Sequence, residues 1–232
     1  MTLAVMQPYF FPYLGYFQLA RSVEHFVFLD DVAFIKRGFI QRNRILLNGV
    51  PFQFSVAVRQ ASQNRAINEH EFVGDFSVFH QQLRHAYARA PYFTEVFALV
   101  EALCHDHELN VAHKAAASVC LVFDYLGLPL QSSFASELAL GELAGETRIL
   151  AICRQMQAQA YHNAIGGRSL YDGHHFTEQG VQLRFVEPHL AAYPQAGGEF
   201  VAGLSILDVL MYNAPQDVCR MLDDYRLLPA SS

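Results

Sequence analysis

The spacing of apolar residues changes several times along the chain. Apolar runs of strand length occur at about 2–7, 25–29, 130–134, 161–165 and 181–186. Between them the apolar positions recur at helical spacing, which predicts helices over about 14–22, through Arg148–Gln159 and near His174–Gln179, the last stopped by Gly180. The segment from Ile45 to Val56 reads as a hairpin, because Asn48-Gly49 suits a type I′ turn. Helical periodicity dominates from about Asp75 to Leu126. Asp75 can cap this stretch, Ala90-Pro91 breaks it, and Gly127 with Pro129 ends it. Leu204–Asn213 and Pro215–Tyr225 read as two short helices, with Pro215 opening the second. Tyr193–Gly198 has the composition of a mobile loop.

Strands alternating with helices imply an α/β fold: a doubly wound, mostly parallel, Rossmann-like sheet covered on both faces. The stretch 74–128 is expected as a central helical insertion within one domain spanning 1–232. Ligands of such sheets bind outside the carboxyl ends of the strands, where the strand order reverses.

Composition narrows the function classes. The chain has 232 residues, 52% apolar and 16% charged, and no run approaches the roughly 18 uncharged apolar residues of a membrane span. No basic, apolar leader opens the sequence, so a cytoplasmic location and no membrane partner are expected. Cys104, Cys120, Cys153 and Cys219 have no paired spacing and read as reduced thiols in apolar surroundings. A net charge of −6 argues against nucleic acid as a partner. The histidines, His105, His107, His174 and His175 among them, lack metal-ligand spacing. Neither a cofactor nor an oligomeric state can be read from the sequence.

Against this acidic background, Lys36, Arg37, Arg42, Asn43 and Arg44 are concentrated in nine residues and suit a small anion such as a nucleotide phosphate. On an extended chain Arg42 and Arg44 share one face, and Asn43 takes the other. Asp30 and Asp31 end an apolar strand, where a carboxylate can act as general base or bind Mg²⁺; alternation lets only one of them face a site. The first strand empties into Gln7-Pro-Tyr9-Phe-Phe-Pro-Tyr13-Leu-Gly15-Tyr16. Its prolines fix φ, Gly15 permits close approach, and Gln7 is a polar residue at the end of an apolar strand. Asn163, Gly166, Gly167, Arg168, Ser169 and Tyr171 surround a glycine pair that follows a strand directly.

Tyr13-Leu-Gly-Tyr16 occupies the place of His-x-Gly-His in nucleotidylyltransferases and pantoate-ligase-type enzymes. Tyrosines donate hydrogen bonds but carry no positive charge near neutral pH, so adenylyl transfer is the less favoured chemistry.

Several motifs occur in order: Met6–Gln18, His25–Val32, Phe34–Ile45, Ala90–Phe93, Ile165–Gly167 and Leu204–Leu210. Together they resemble the WbqC-like protein family over nearly the whole chain. Phe39 stands where relatives more often carry Trp, and Gln41 where Asn is common. The resemblance implies a role in the synthesis of bacterial surface polysaccharides of the O-antigen type, modifying a nucleotide-linked amino sugar as small-molecule substrate; acyl or aminoacyl transfer is the reaction we favour for it. Ser205 and Asp208, in the last of these motifs, join Gln7, Tyr9, Tyr13, Gly15, Lys36, Arg37, Arg42, Asn43, Arg44, Asn163, Gly166, Gly167 and Tyr171 as substrate-binding candidates, with Asp30, Asp31 and Tyr16 as catalytic candidates. The alternatives are a non-catalytic ligand-binding or scaffold protein of the same pathway, or an adenylate-forming ligase related to the His-x-Gly-His nucleotidylyltransferases.

Overall fold

The computed structural model describes residues 1–230. Six strands form one sheet: β1 (Thr2–Met6), β2 (His25–Phe28), β5 (Ser132–Phe134), β6 (Ala160–Ala164), β7 (Gln182–Pro188) and β8 (Tyr225–Pro229). Their order is β5-β2-β1-β6-β7-β8, parallel throughout except for the antiparallel edge pair β7 and β8. A separate hairpin pairs β3 (Arg42–Leu47) with β4 (Val50–Ser55). This is the α/β, mostly parallel, Rossmann-like architecture that the alternation implies.

Both faces of the sheet are covered, because consecutive strand residues point to opposite sides. Ala4, Phe26, Phe28 and Val186 enter one core with helices α1 (Leu14–Arg21), α2 (Ser77–Tyr87), α3 (Phe93–His105), α4 (Val111–Tyr125), α7 (Ile206–Tyr212) and α8 (Pro215–Asp223). Leu3, Val5, Val27, Tyr161 and Phe185 enter the other, against α5 (Gly145–Gln155) and α6 (Gly173–Glu178). Fully buried Gln18 ties α1 to the end of α8, its Nε2 lying within 3.0 Å of the carbonyls of His189, Met221 and Asp224. No helix among the described residues is long and apolar enough to cross a membrane.

The sequence expectations need four adjustments. The last helix stops at Asp223 and the chain turns into the edge strand β8, which the helical spacing of the preceding residues concealed. The hairpin begins at Arg42, because this two-stranded ribbon tolerates charged residues on its open face. The central helical stretch divides a second time, at residues 106–110, where buried Lys114 donates to the carbonyls of Leu103 and Asp106 and closes the end of α3. Finally, the 193–198 loop is anchored. Tyr193 OH and Gln195 Nε2 donate to Asp208 at 2.7 and 2.9 Å, and Gln195 also bonds Val201 through both ends of its amide.

His162, 5% exposed on β6, lies with Nδ1 3.1 Å from Ser22 Oγ, and burial holds its imidazole below the usual 6.5. Between that depressed value and 6.5 the unfolded chain binds more protons than the native one, so the stability is complete above 6.5 and is lost as pH falls. Urea unfolding midpoints should therefore drop from about pH 7 to about pH 5, and His162→Gln should flatten part of the drop. Burial lowers His25 and His80 as well, and they contribute to the drop in the same direction.

Candidate functional site

The residues between β1 and α1 divide by which way they turn. Phe10 and Phe11 are buried, while Tyr9 and Tyr13 keep one side open. Phe11 has a left-handed backbone, φ 46°, which a non-glycine residue holds only when its surroundings fix it. They do so from three directions. Phe11 N–H donates to Ser118 Oγ at 2.9 Å, and its carbonyl accepts from Asn43 Nδ2 at 2.9 Å and Ser205 Oγ at 2.7 Å. Pro12 follows, and its carbonyl accepts from Ile206 N at 2.7 Å. Tyr13 precedes the first turn of α1, and its ring lies over Gly15, where a Cβ would come within 2.5 Å of Tyr13 Cε2.

The result is a slot of about 250 Å³ lined by Tyr9, Pro12 and Tyr13 on one side, Asn43 and Arg44 of β3 on another, and Phe39 and Gly203 at the rim. The walls are mainly aromatic. Tyr9's ring centroid is 5.7 Å from that of Tyr16 and 6.4 Å from that of Phe39. The volume is below the roughly 300–1,000 Å³ of pockets that enclose drug-sized ligands, so it holds one ring system and its near substituents. Arg44 supplies the charge. Among the described residues its only hydrogen bond from the guanidinium is a long one, 3.4 Å from Nη2 to Gly203 O.

Electrostatics around the slot are one-sided. Among the described residues no carboxylate pairs with Lys36, Arg37, Arg42 or Arg44, in a chain of net charge −6. Burial, then the neighbouring Tyr13, raises the Tyr9 phenol above its usual range, and burial alone raises that of Tyr13. Both tyrosines are therefore neutral at physiological pH and can donate hydrogen bonds.

The slot gathers Tyr9, Tyr13, Asn43 and Arg44 from the residues singled out in the sequence. Gln7 lies just behind it, accepting from Tyr9 OH at 3.2 Å. Tyr16 is buried and its hydroxyl donates to Gln7 O at 2.9 Å, so it supports the turn and does not open into the slot. The two-arginine fork does not form. Arg42 turns away, its Nε donating to Gly38 O at 2.6 Å and its Nη2 to Arg37 O, and so braces the loop that carries Lys36, Arg37 and Phe39.

The acidic pair lies outside the slot. Asp30 is 1% exposed and its carboxylate accepts from Ser136 N, Ser136 Oγ and Asn68 Nδ2 at 2.7–3.0 Å. Asp31 is paired with buried Arg148. Ser205 caps α7 and holds Phe11. Buried Asp208 accepts from Tyr87, Tyr193 and Gln195, and burial pushes its carboxyl above the usual carboxylate range. Tyr171 packs edge-on against Tyr161 and Phe176. Asn163, Gly166 and Gly167 stand at the end of β6.

Pro12, Phe39 and Gly203 complete the slot although none was among the expected site residues. Phe39's place among four cations was the available hint, and Gly203's contribution depends on an α7 approach that only the fold supplies.

A family model described as "WbqC-like protein family" matches residues 7–219. The chain is also 28% identical over 214 residues to "Uncharacterized protein Rv1507c" of Mycobacterium tuberculosis, covering 89% of this chain and 91% of that one. No solved structure matches.

Asp30→Ala should lower unfolding stability by about 2–4 kcal/mol, since three donors around a buried carboxylate lose their acceptor. Ligand affinity at the slot should be unaffected. Chemical denaturation and titration calorimetry on one preparation check both, and a loss of affinity at unchanged stability would return Asp30 to the site.

Proposed function

Because this chain belongs to the WbqC-like protein family, we propose that it acts in bacterial surface-polysaccharide synthesis, of the O-antigen type, on a nucleotide-linked amino sugar held at the aromatic slot. The observation that carries this reading is the unneutralised cation set beside aromatic walls. Tyr9 and Tyr13 offer flat faces to a base, and Arg44 can grip a phosphate with two parallel N–H donors. Lys36 and Arg37, exposed on the adjoining loop, extend positive potential along the diphosphate.

The reaction we assign is transfer of an acyl or aminoacyl group to the sugar amine. The amine attacks the carbonyl of an activated acyl donor, the donor's leaving group departs, and the amine loses a proton. The neutral Tyr13 hydroxyl and Arg44 suit this by donating to developing negative charge, while Asp30 and Asp31 are held outside the slot by Ser136 and Arg148. A second reading, a ligand-binding scaffold protein of the same pathway, draws support from Ile35 and Phe39, which are 44% and 51% exposed beside the slot.

Titration calorimetry with a panel of nucleoside diphosphates and nucleotide-linked amino sugars tests the proposal. Arg44→Ala should weaken binding by about 10–100-fold, some 1.4–2.8 kcal/mol, and rising salt should weaken the wild type because the cations are exposed. Absence of binding across the panel, or an Arg44→Ala protein that binds as the wild type does, would overturn it. Turnover of an amino-sugar nucleotide with an acyl donor separates enzyme from scaffold.

A further inference from the structure

β1 and β6 are neighbours over only part of their length. Their ladder ends with Ala4 beside His162, yet β1 continues against β2 through Met6 and Phe28, and β6 continues against β7 through Ala164 and Val186. The two central strands therefore part at their carboxyl ends. The chain moves from β1 outward to β2 and β5, then crosses back to β6 on the other side of β1. Such a reversal opens a crevice at the strand ends.

Two carboxamides stand there. Asn163 is the first β6 residue beyond the ladder and points to the same face as Tyr161 and Leu3. It is 5% exposed, and its side chain has no hydrogen-bond partner among the described residues. A largely buried amide with no protein partner and a little solvent contact is open to pairing with a polar ligand group. The returning backbone passes close to it: a Cβ on Gly167 would lie 2.4 Å from Asn163 Nδ2, so a larger residue there would displace the amide. On the other strand Gln7 follows β1. Its Oε1 accepts from Tyr9 OH, and its Nε2 donors have no partner among the described residues.

Tyr9 thus joins the two places, its ring lining the slot and its hydroxyl holding Gln7. A slot of about 250 Å³ takes one ring system, which leaves the other half of a nucleotide-linked sugar to be placed. We propose that the crevice between β1 and β6 binds the sugar half, with Gln7 and Asn163 donating to and accepting from its hydroxyl and amide groups. Neutral carboxamides match neutral sugar polar groups, and the cations near the slot are left to the diphosphate. This inference rests on the nucleotide-sugar reading given above.

The test compares UDP with UDP-N-acetylglucosamine, and thymidine diphosphate with a thymidine-diphosphate-linked N-acetylamino sugar, by calorimetry on the full chain. In the wild type the conjugates should bind more tightly than the bare diphosphates. Asn163→Ala should leave diphosphate affinity within about twofold and weaken the conjugates by about tenfold, the scale of one or two lost hydrogen bonds. Gln7→Ala should do the same, and serves if Asn163→Ala does not fold. Equal weakening of both ligand types, or no change in either, overturns the crevice assignment while leaving the slot intact. A wild type that binds none of the four overturns both readings.

Discussion

The peptide of Phe11 is the constraint on which the site depends. A left-handed conformation at a bulky residue costs on the order of 1–3 kcal/mol and survives only when the surroundings over-determine it. Here α4 supplies Ser118 to the N–H, while β3 and the cap of α7 supply Asn43 and Ser205 to the carbonyl. Neighbouring backbone bonds reinforce the knot: Phe10 N to Ile40 O at 2.9 Å, Ser205 N to Arg44 O at 2.8 Å and Ile206 N to Pro12 O at 2.7 Å. Three elements far apart in sequence therefore converge on one turn. All of the slot's lining but Phe39 hangs from it, since Tyr9, Pro12 and Tyr13 lie in the turn, Asn43 and Arg44 in the strand it bonds, and Gly203 beside the cap.

That knot also explains how polar groups are divided between structure and surface. Asn43 can line the slot and still be spent, with its Nδ2 on Phe11 and its Oδ1 accepting from Arg44 N at 2.8 Å. Its neighbour Arg44 points outward with its charge unmatched. The acidic residues closest in sequence, Asp30 and Asp31, are drawn away by Ser136, Asn68 and Arg148. Potential near the slot consequently stays positive in a protein whose net charge is −6.

Local chemistry was legible in the sequence wherever it acts locally. The Asn48-Gly49 turn has Asn48 at φ 53° and Gly49 at φ 78°, as a type I′ hairpin requires, and Pro91 falls in the gap between α2 and α3. What escaped depended on distant partners. Asp30 meets Ser136 106 positions away and Asp31 meets Arg148 117 positions away, so two carboxylates that read as catalytic by type and place are held by groups no local pattern announces. The loop at 193–198 reads as mobile from its glycines, yet Asp208 anchors it, and Asp208 is itself placed by Tyr87 from 121 positions away. Strand β8 was hidden because its five residues, Tyr225–Pro229, form an edge with one partner and little burial, leaving no alternation to detect.

The tyrosines at the start of α1 show how the same motif position changes its use when the residue changes. Histidines there could be charged and exposed; Tyr16 is instead buried with its hydroxyl on Gln7 O, and burial raises its phenol well above the usual range. It therefore fixes the backbone at which Gln7 leaves β1. Tyr13 covers Gly15, and Tyr9 carries its hydroxyl to the Gln7 side chain, so the aromatic turn places Gln7 by both backbone and side chain. A turn built this way exchanges a titratable contact for a rigid neutral one. Under the proposed function, catalytic power would come from orienting the sugar amine and stabilising negative charge with fixed donors, and the proton would leave through groups of the substrate or solvent.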